Sequence, residues 1–408
     1  MQSKVKVMLF NGWLGVGGTE RSIFNLARLI DRSRFDVVIY CFSHKGHFGL
    51  EAEKAGIRVL SGGFDFRLRN LFRSCRRFLR TLREERIEIL HCFGYPTIYY
   101  GVVLGVIARV PRILSVVRDD GTWKRWPQLF WDGIVDHYAD LIIANSQLAQ
   151  HNYLKGKPPG LASKVATIYC GIDSLSLSRD AAGPMAGGKA APTIGLIGRL
   201  DDSMKGHSVF LHAAKKVAEQ RTGVRFCVVG DGPDRRKLEL LVSELGLADR
   251  VLFAGEVTDL RRAFGMVDIV VIASRSESLP HVLLEAMCCG KSIVATAVGD
   301  IPIILGEQHA SFIVPKDDSA VLAQRLMYLI DHPESIEQCG EEARRRFDDL
   351  GLTAERCARE TEKAYASLLS APCMTHPISR KLLMGIGGFL ILETYWAVKR
   401  RLSFGHLG

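Results

Sequence analysis

The stretch IVVIASRSESLPHVLLEAMCCGKSIVAT, residues 269–296, contains a complete structural unit. It opens with a run of apolar, largely β-branched residues and passes through a short polar loop. A helical segment then begins at Pro280 and ends at Gly290, and a second Val/Ile-rich run follows. Proline suits a first helical turn because its fixed φ and missing N–H cost nothing there, and glycine accepts the left-handed conformation that stops a helix. The two strands are continuously apolar rather than alternating, as expected where helices cover both faces of a parallel sheet.

The pattern repeats on both sides of this unit. KVKVMLF, DVVIYCF, IEILHCF, RILSVV and LIIANS occupy the first half of the chain, and TIGLIG, RFCVVG, VLFAG, SIVAT and SFIVP the second, with helical segments between them. SRDAAGPMAGGKAAP, residues 178–192, separates the two series and is rich in Gly, Ala and Pro. A chain of 408 residues exceeds what one core usually holds. The expected architecture is therefore α/β: two Rossmann-like doubly wound domains facing a central cleft, with ligands at the carboxyl ends of the strands. The expected boundaries are 1–177, a linker over 178–192, a second domain over 193–352, a helix over 353–370 and a tail over 371–408.

Glu277 and Glu285 stand eight positions apart around Pro280. On one continuous helix that is a rise of roughly 12 Å, wider than the about 5–9.5 Å between paired glycosidase carboxyls. The two acids therefore do separate work. Glu277 falls at a strand's carboxyl end, where it can accept hydrogen bonds from ligand hydroxyls. Glu285 lies inside the helix among Leu283, Leu284, Ala286 and Met287, and an acid buried there needs a partner or a ligand.

Two further segments offer anion sites. In NGWLGVGGTERSIFNLARLI, Gly15, Gly17 and Gly18 precede Thr19, a candidate N-cap for a helix with Ile23, Leu26, Ala27 and Ile30 on its apolar face. Amides at such a helix start can receive a phosphate; alternatively the glycines only let strand and helix pack. The spacing is not GxGxxG, since Glu20 stands where the third glycine would fall, and Arg235 does so in VVGDGPDRRKL. Both departures argue against a dinucleotide oxidoreductase. In GLIGRLDDSMKGH, Arg199 closes a strand and Lys205 precedes a helix, a pairing suited to clamping a diphosphate.

Taken in order, GGTE, GLIGRL…KG, VVGDGP, VLFAGEV and SESLPHVLLEAMCCGKSIVATAVGDIP resemble the large retaining glycosyltransferase family with the GT-B fold, family 4, from about residue 5 to 370. The resemblance implies that Arg199 and Lys205 hold the donor diphosphate, with backbone help from Gly17 and Gly18. It also implies that Glu277, with Ser278 and Leu279, meets the donor sugar, that Glu285 meets the ribose, and that Val257 lies by the nucleobase. Glu277, Arg199 and Lys205 would then carry catalysis. Arg118 stands where the family usually has a His, and an arginine can hydrogen-bond a sugar or phosphate but cannot shuttle protons. Ser278 replaces a common Gly, Cys170 a common Asn, and Asp300 and Ile303 also depart from the pattern. A UDP- or GDP-linked sugar is the implied donor, no cofactor is implied, and without a DxD triplet no metal site is expected.

The formal charge of +10 sits entirely in the first 180 residues, the remainder being balanced. Such an excess suggests an anionic partner. RLRNLFRSCRRFLRTLREERI explains much of it. Leu68, Leu71, Phe72, Cys75, Phe78, Leu79 and Leu82 follow one helical stripe, with Arg69, Arg73, Arg76, Arg80 and Arg83 beside them. This is either a solvated basic helix or a surface for anionic lipid headgroups, the latter being favoured. No aromatic platform accompanies the charge, so nucleic acid is not an expected partner. Residues 382–398 form an apolar stretch flanked by Arg380-Lys381 and Lys399-Arg400-Arg401 and interrupted by Glu393. It is short for a span, so a helix lying at the membrane interface or on the protein body is expected. Trp123, Trp126 and Trp131 can line an acceptor cleft, meet the interface or pack in the core. The ten scattered cysteines form no framework, and the start lacks a secretion h-region.

The expectation is thus a cytoplasmic enzyme, peripheral on the cytosolic face of a membrane. It would move a sugar to an acceptor such as a lipid-linked saccharide in surface polysaccharide, lipopolysaccharide or glycolipid biosynthesis. A soluble acceptor, an epimerase or a non-catalytic membrane-surface protein are the alternatives.

Overall fold

The structure is a computed structural model and describes residues 3–64, 68–119, 121, 124–174, 177 and 191–372. Most of the expected linker, Trp123, and the tail with its apolar stretch 382–398 lie outside the described residues. The chain divides into two compact units: residues up to Tyr169 together with those from Ala354 onward, and Cys170–Thr353.

In the first unit, seven strands alternate with helices. In chain order they are β1 (Val5–Asn11), α1 (Gly18–Leu29), β2 (Phe35–Cys41), α2 (Gly46–Lys54), β3 (Arg58–Ser61), α3 (Leu68–Glu84) and β4 (Ile89–Cys92). After them come α4 (Thr97–Ala108), β5 (Arg112–Val117), α5 (Trp126–Tyr138), β6 (Leu141–Ala144), α6 (Gln147–Leu154) and β7 (Val165–Thr167). The sheet order is β3-β2-β1-β4-β5-β6-β7, with every pairing parallel. Residues of β1 alternate between two cores: Met8 and Phe10 pack with α3 and α4, Val7 and Leu9 with α1. This two-sided burial explains the unbroken apolar runs.

The second unit repeats the scheme. Its elements begin with β8 (Thr193–Ile197), α7 (Asp202–Lys205), α8 (His207–Gln220), β9 (Arg225–Val229), α9 (Arg235–Glu244), β10 (Val251–Gly255) and α10 (Leu260–Gly265). They continue with β11 (Ile269–Ile272), α11 (His281–Cys288), β12 (Ser292–Thr296), α12 (Ile301–Leu305), β13 (Ile313–Val314), α13 (Ser319–Asp331) and α14 (Pro333–Leu350). The order β10-β9-β8-β11-β12-β13 is again all parallel. In both units the order reverses beside the first strand, between β1 and β4 and between β8 and β11, which is where doubly wound folds bind ligands.

The last helix, α15 (Ala354–Ser370), belongs to the first unit. Its Tyr365 is fully buried, stands edge-on to Phe35 and lies 2.7 Å from His91 Nδ1, while Glu362 accepts the Asp31 amide at 2.7 Å. Just beyond it, Arg112 donates to the carbonyls of Ala371 and Pro372.

Two local expectations need correction. Helix α1 starts at Gly18 with Gly17 as its N-cap residue, so Thr19 lies in the first turn and does not cap it. The Glu20 side chain folds back over this helix start, where a Cβ on Gly17 would collide with its carboxylate. In α3, Phe72 is 68% exposed while Ser74 is buried. The buried arc runs through Leu71, Ser74, Phe78 and Leu82, and Phe72, one residue or about 100° round from Leu71, falls beside the exposed Arg73 and Arg76. Trp131 is core at 2% exposure, whereas Trp126 is 75% exposed. Among the described residues no helix is long and apolar enough to cross a membrane.

Candidate active site

The residues singled out in the sequence fall into two groups, one in each unit. In the second unit Arg199 and Lys205 follow β8, and Glu277, Ser278 and Leu279 follow β11. These strands are neighbours, so the switch point brings the two loops together. Lys205 Nζ is ion-paired with Glu277 Oε1, the side chains being 25% and 13% exposed. Ser274 Oγ donates to the same carboxylate oxygen at 3.2 Å, and Thr296 Oγ1 holds the Ser274 carbonyl at 2.6 Å. Arg199 is exposed, and among the described residues no side chain pairs with its guanidinium.

Two glycines allow this approach. Gly206 has φ +66° and lies so close to the Ala273 carbonyl that a Cβ would overlap it; Gly299, at φ +58°, sits in the same way against the carbonyls of Glu277 and Ser278. Backbone packing of this kind fixes Lys205 and Glu277 from below, because neither loop can shift without moving the other.

Arg275 was not anticipated. It bridges Asp317 at 2.5 Å, Ser208 Oγ at 3.2 Å and Asp202 at 3.4 Å, tying the loop after β11 to the starts of α8 and α13. Asp202 is buried, which pushes its pKa up, but the Ser208 amide and hydroxyl, Arg275 and Lys237 outweigh burial and hold it below the usual carboxylate value. An arginine within SRSES carries no motif, which is why the sequence did not reveal it. His207, the first residue of α8, is completely buried with both ring nitrogens unpartnered among the described residues. Burial lowers its pKa to about 4, so the ring is neutral at pH 7.

Glu285 is 5% exposed in α11, and Val257 follows β10, an edge strand two places from β8. Ser278 and Leu279 are buried at 3% and 4%. The geometry therefore unites Arg199, Lys205 and Glu277 at one switch point and sets Val257 further along the sheet edge.

In the first unit, Gly17 and Gly18 begin α1, and Arg118 follows β5 and donates to Ser22 Oγ of α1 at 3.2 Å. Burial raises the Glu20 pKa, opposed by a backbone hydrogen bond and the charge of Arg118. Arg118 also lines a cavity of about 250 Å³ at the ends of β4 and β5, walled by α4 and α5. Asp132 stands in this cavity, paired with Lys124 at 2.8 Å and accepting from Tyr99 OH at 2.9 Å. Tyr99, Lys124 and Asp132 were not anticipated, although Asp132 amid QLFWDGIVDHY is an acid on an apolar helix face, the same signal that picked out Glu285.

Two doubly wound, all-parallel units in succession form the GT-B fold. The chain belongs to the group 1, family 4 branch of the glycosyltransferases with that fold. The family described as Glycosyltransferase Family 4 matches residues 16–174 and that described as Glycosyl transferases group 1 matches residues 188–346. Among curated proteins it is 31% identical over 156 residues to N-acetyl-alpha-D-glucosaminyl L-malate synthase of Bacillus anthracis, covering 38% of this chain and 40% of the relative. It is 33% identical over 183 residues to phosphatidyl-myo-inositol mannosyltransferase of Mycobacterium leprae, covering 43% and 47%. The chain thus spans less than half the length of these two relatives. In fold it is similar to Anabaena Alr3699/HepE, solved in complex with UDP and glucose, at a TM-score of 0.77 and 21% identity over 89% of this chain and all of that one.

Proposed function

We propose that the chain transfers a glycosyl group, with retention of anomeric configuration, from a UDP- or GDP-linked donor to a lipid-linked saccharide. The observation that carries this reading is the junction of β8 and β11, where an exposed guanidinium, an ammonium and a carboxylate converge. Lys205 is ion-paired with Glu277. A bound diphosphate would draw on Lys205 and Arg199 together, leaving the Glu277 carboxylate to accept hydrogen bonds from sugar hydroxyls. Glu285 would hold the ribose, Val257 would lie by the base, and Ser278, Leu279 and the amides of Gly17 and Gly18 would complete the donor contacts.

The chemistry follows from those charges. The bond from the anomeric carbon to the β-phosphate oxygen breaks with its electron pair moving to phosphate, where Arg199 and Lys205 stabilise the developing charge. The acceptor hydroxyl forms the new bond on the same face, and its proton passes to the departing phosphate oxygen. Arg118 would position groups rather than shuttle protons, since a guanidinium stays protonated.

The lipid-linked acceptor is supported by the relative whose name specifies phosphatidyl-myo-inositol and by α3, on which Arg73, Arg76 and Arg80 share an exposed face with Phe72. Arginines beside an exposed aromatic suit an anionic headgroup surface on a cytosolic membrane face.

A donor screen tests the reading. Purified chain is mixed with UDP-, GDP- and ADP-sugars and followed by thermal shift and nucleotide release. One donor should stabilise the protein, and release should disappear in Glu277→Ala. Absence of any response with a lipid-linked acceptor present would overturn it. Sedimentation with vesicles tests the membrane surface: binding should require anionic lipid and fall in Phe72→Ser.

A further inference from the structure

We propose that Arg275 is a positioning residue for the donor site: its guanidinium clamps the segment that carries Lys205 to the loop that carries Glu277, and so sets the geometry of that pair. The word donor rests on the transferase reading above; the clamp itself rests on the contacts of Arg275.

The backbone already holds Lys205 from both sides. The Arg275 amide donates to the carbonyl of Met204 at 2.8 Å, and Gly206 packs against the carbonyl of Ala273. Lys205 itself ends α7, a helix of four residues, and one turn has little stability of its own. The segment therefore depends on tertiary contacts to stay in place.

The side chain of Arg275 supplies them. Nη1 donates to the Asp202 carbonyl and lies 3.4 Å from Asp202 Oδ1, at the start of α7. Nη2 donates to Ser208 Oγ at 3.2 Å, in the first turn of α8, and Nε donates to Asp317 Oδ1 at 2.5 Å, ahead of α13. Residues before and after Lys205 are thus tied to one that lies just before Glu277. Asp317 reaches Arg275 from a left-handed backbone, φ +62°, which is uncommon for a residue other than glycine.

Burial makes the clamp stiffer than a surface ion pair, whose partners are loosened by water. The Asp202 side chain is 8% exposed; it also accepts the Ser208 amide at 2.7 Å and Lys237 at 3.4 Å, while its own amide donates to Asp234 at 2.7 Å. All three nitrogens of Arg275 have protein acceptors, whereas Arg199 is exposed. Arg275 accordingly acts through its neighbours and not on the ligand. A lysine in its place keeps the charge but loses the planar fork that reaches three acceptors at once.

Turnover and structure test the clamp separately. Arg275→Lys should lower nucleotide release about 30-fold, since a misplacement of roughly 1 Å can cost about 100-fold. Asp317 is 49% exposed, so Asp317→Asn removes one arm of the clamp without threatening the fold, and it keeps the test decisive if Arg275→Lys does not fold. It should lower release about fivefold in the wild type and about twofold or less in a Lys205→Ala background, where the pair is already broken. A side chain that only stabilised the fold would cost about the same in both backgrounds. Crystal structures of the wild type and both variants without nucleotide read the geometry independently of activity. The Lys205–Glu277 pair should form in the wild type, open by about 1 Å or more in Arg275→Lys and open less far in Asp317→Asn. A pair unchanged in both variants, or equal losses in the two backgrounds, overturns the proposal. If the wild type releases nucleotide from no donor, the transferase reading falls and the structures still decide the clamp; turnover with an unchanged pair removes only the clamp.

Discussion

The two units share one strand order yet equip their switch points in opposite ways. In the second, Arg199 and Lys205 come to the strand ends, Lys205 paired with Glu277 and Arg199 exposed, and glycines let the loops pack against each other. In the first, the helix start is covered by the chain's own Glu20, and the neighbouring cavity balances two cations with two acids. Topology thus decides where a ligand can sit, and the residues at the strand ends decide its charge.

The largest expected effects fall on the second unit's cations. Lys205→Ala and Arg199→Ala should each lower nucleotide release about 100-fold or more, as for loss of one preorganised donor to a developing charge. Arg118→Ala, measured in the same assay, sharpens the contrast. If the first unit holds the acceptor, it raises the acceptor KM and spares donor binding. Equal losses of donor affinity in all three variants would break the distinction between the units.

Next come the glycines. A Cβ at Gly206 combines a left-handed φ with collision against the Ala273 backbone, so Gly206→Ala should cost at least about 3 kcal/mol. Gly17 is extended at φ 178° and faces only the flexible end of Glu20. Gly17→Ala should stay within about 1 kcal/mol. Thermal melts of the two variants give the comparison directly.

His207 provides a pH test. Its folded pKa of about 4 lies below the unfolded value, so the fold favours the neutral ring. Stability is intact above pH about 6.5 and falls as pH drops towards 4, by up to roughly 3 kcal/mol. His207→Leu should move the acid midpoint, followed by circular dichroism, to lower pH. The tryptophans among the described residues, Trp13, Trp126 and Trp131, all lie in the first unit. Their fluorescence therefore reports whether the first unit unfolds with it.

The same contrast explains what the sequence could and could not reveal. Continuous Val/Ile runs announced the parallel strands, because burial on both faces leaves no polar alternation to misread. Arg199, Lys205 and Glu277 were legible because each lies in a short segment with its own motif. The wall of the first cavity was not. Ser115, Lys124 and Asp132 come from a strand, a loop and a helix, and only folding brings them together. Helix periodicity identified α15 but not its partner, since an apolar stripe does not say which core it joins. For Phe72, a stripe drawn one residue too wide gave a buried side chain where the helix turns it outward.

The smallest expected effect is at Glu20, and it bears most directly on the comparison. Burial raises its pKa, while its backbone hydrogen bond and Arg118 lower it. A carboxyl whose folded pKa exceeds its unfolded value prefers the protonated form in the fold, so the ionised group costs stability above that pKa. Glu20→Gln should therefore raise Tm by about 1–3 °C at pH 7, corresponding to no more than about 1 kcal/mol. At pH 4, where both states are largely protonated, it should bring no gain. A fall in Tm at pH 7 would mean that the helix start and Arg118 hold the carboxylate more strongly than burial opposes it. The α1 end would then already contain the anion it favours, whereas in the second unit the exposed Arg199 would remain open to an incoming one.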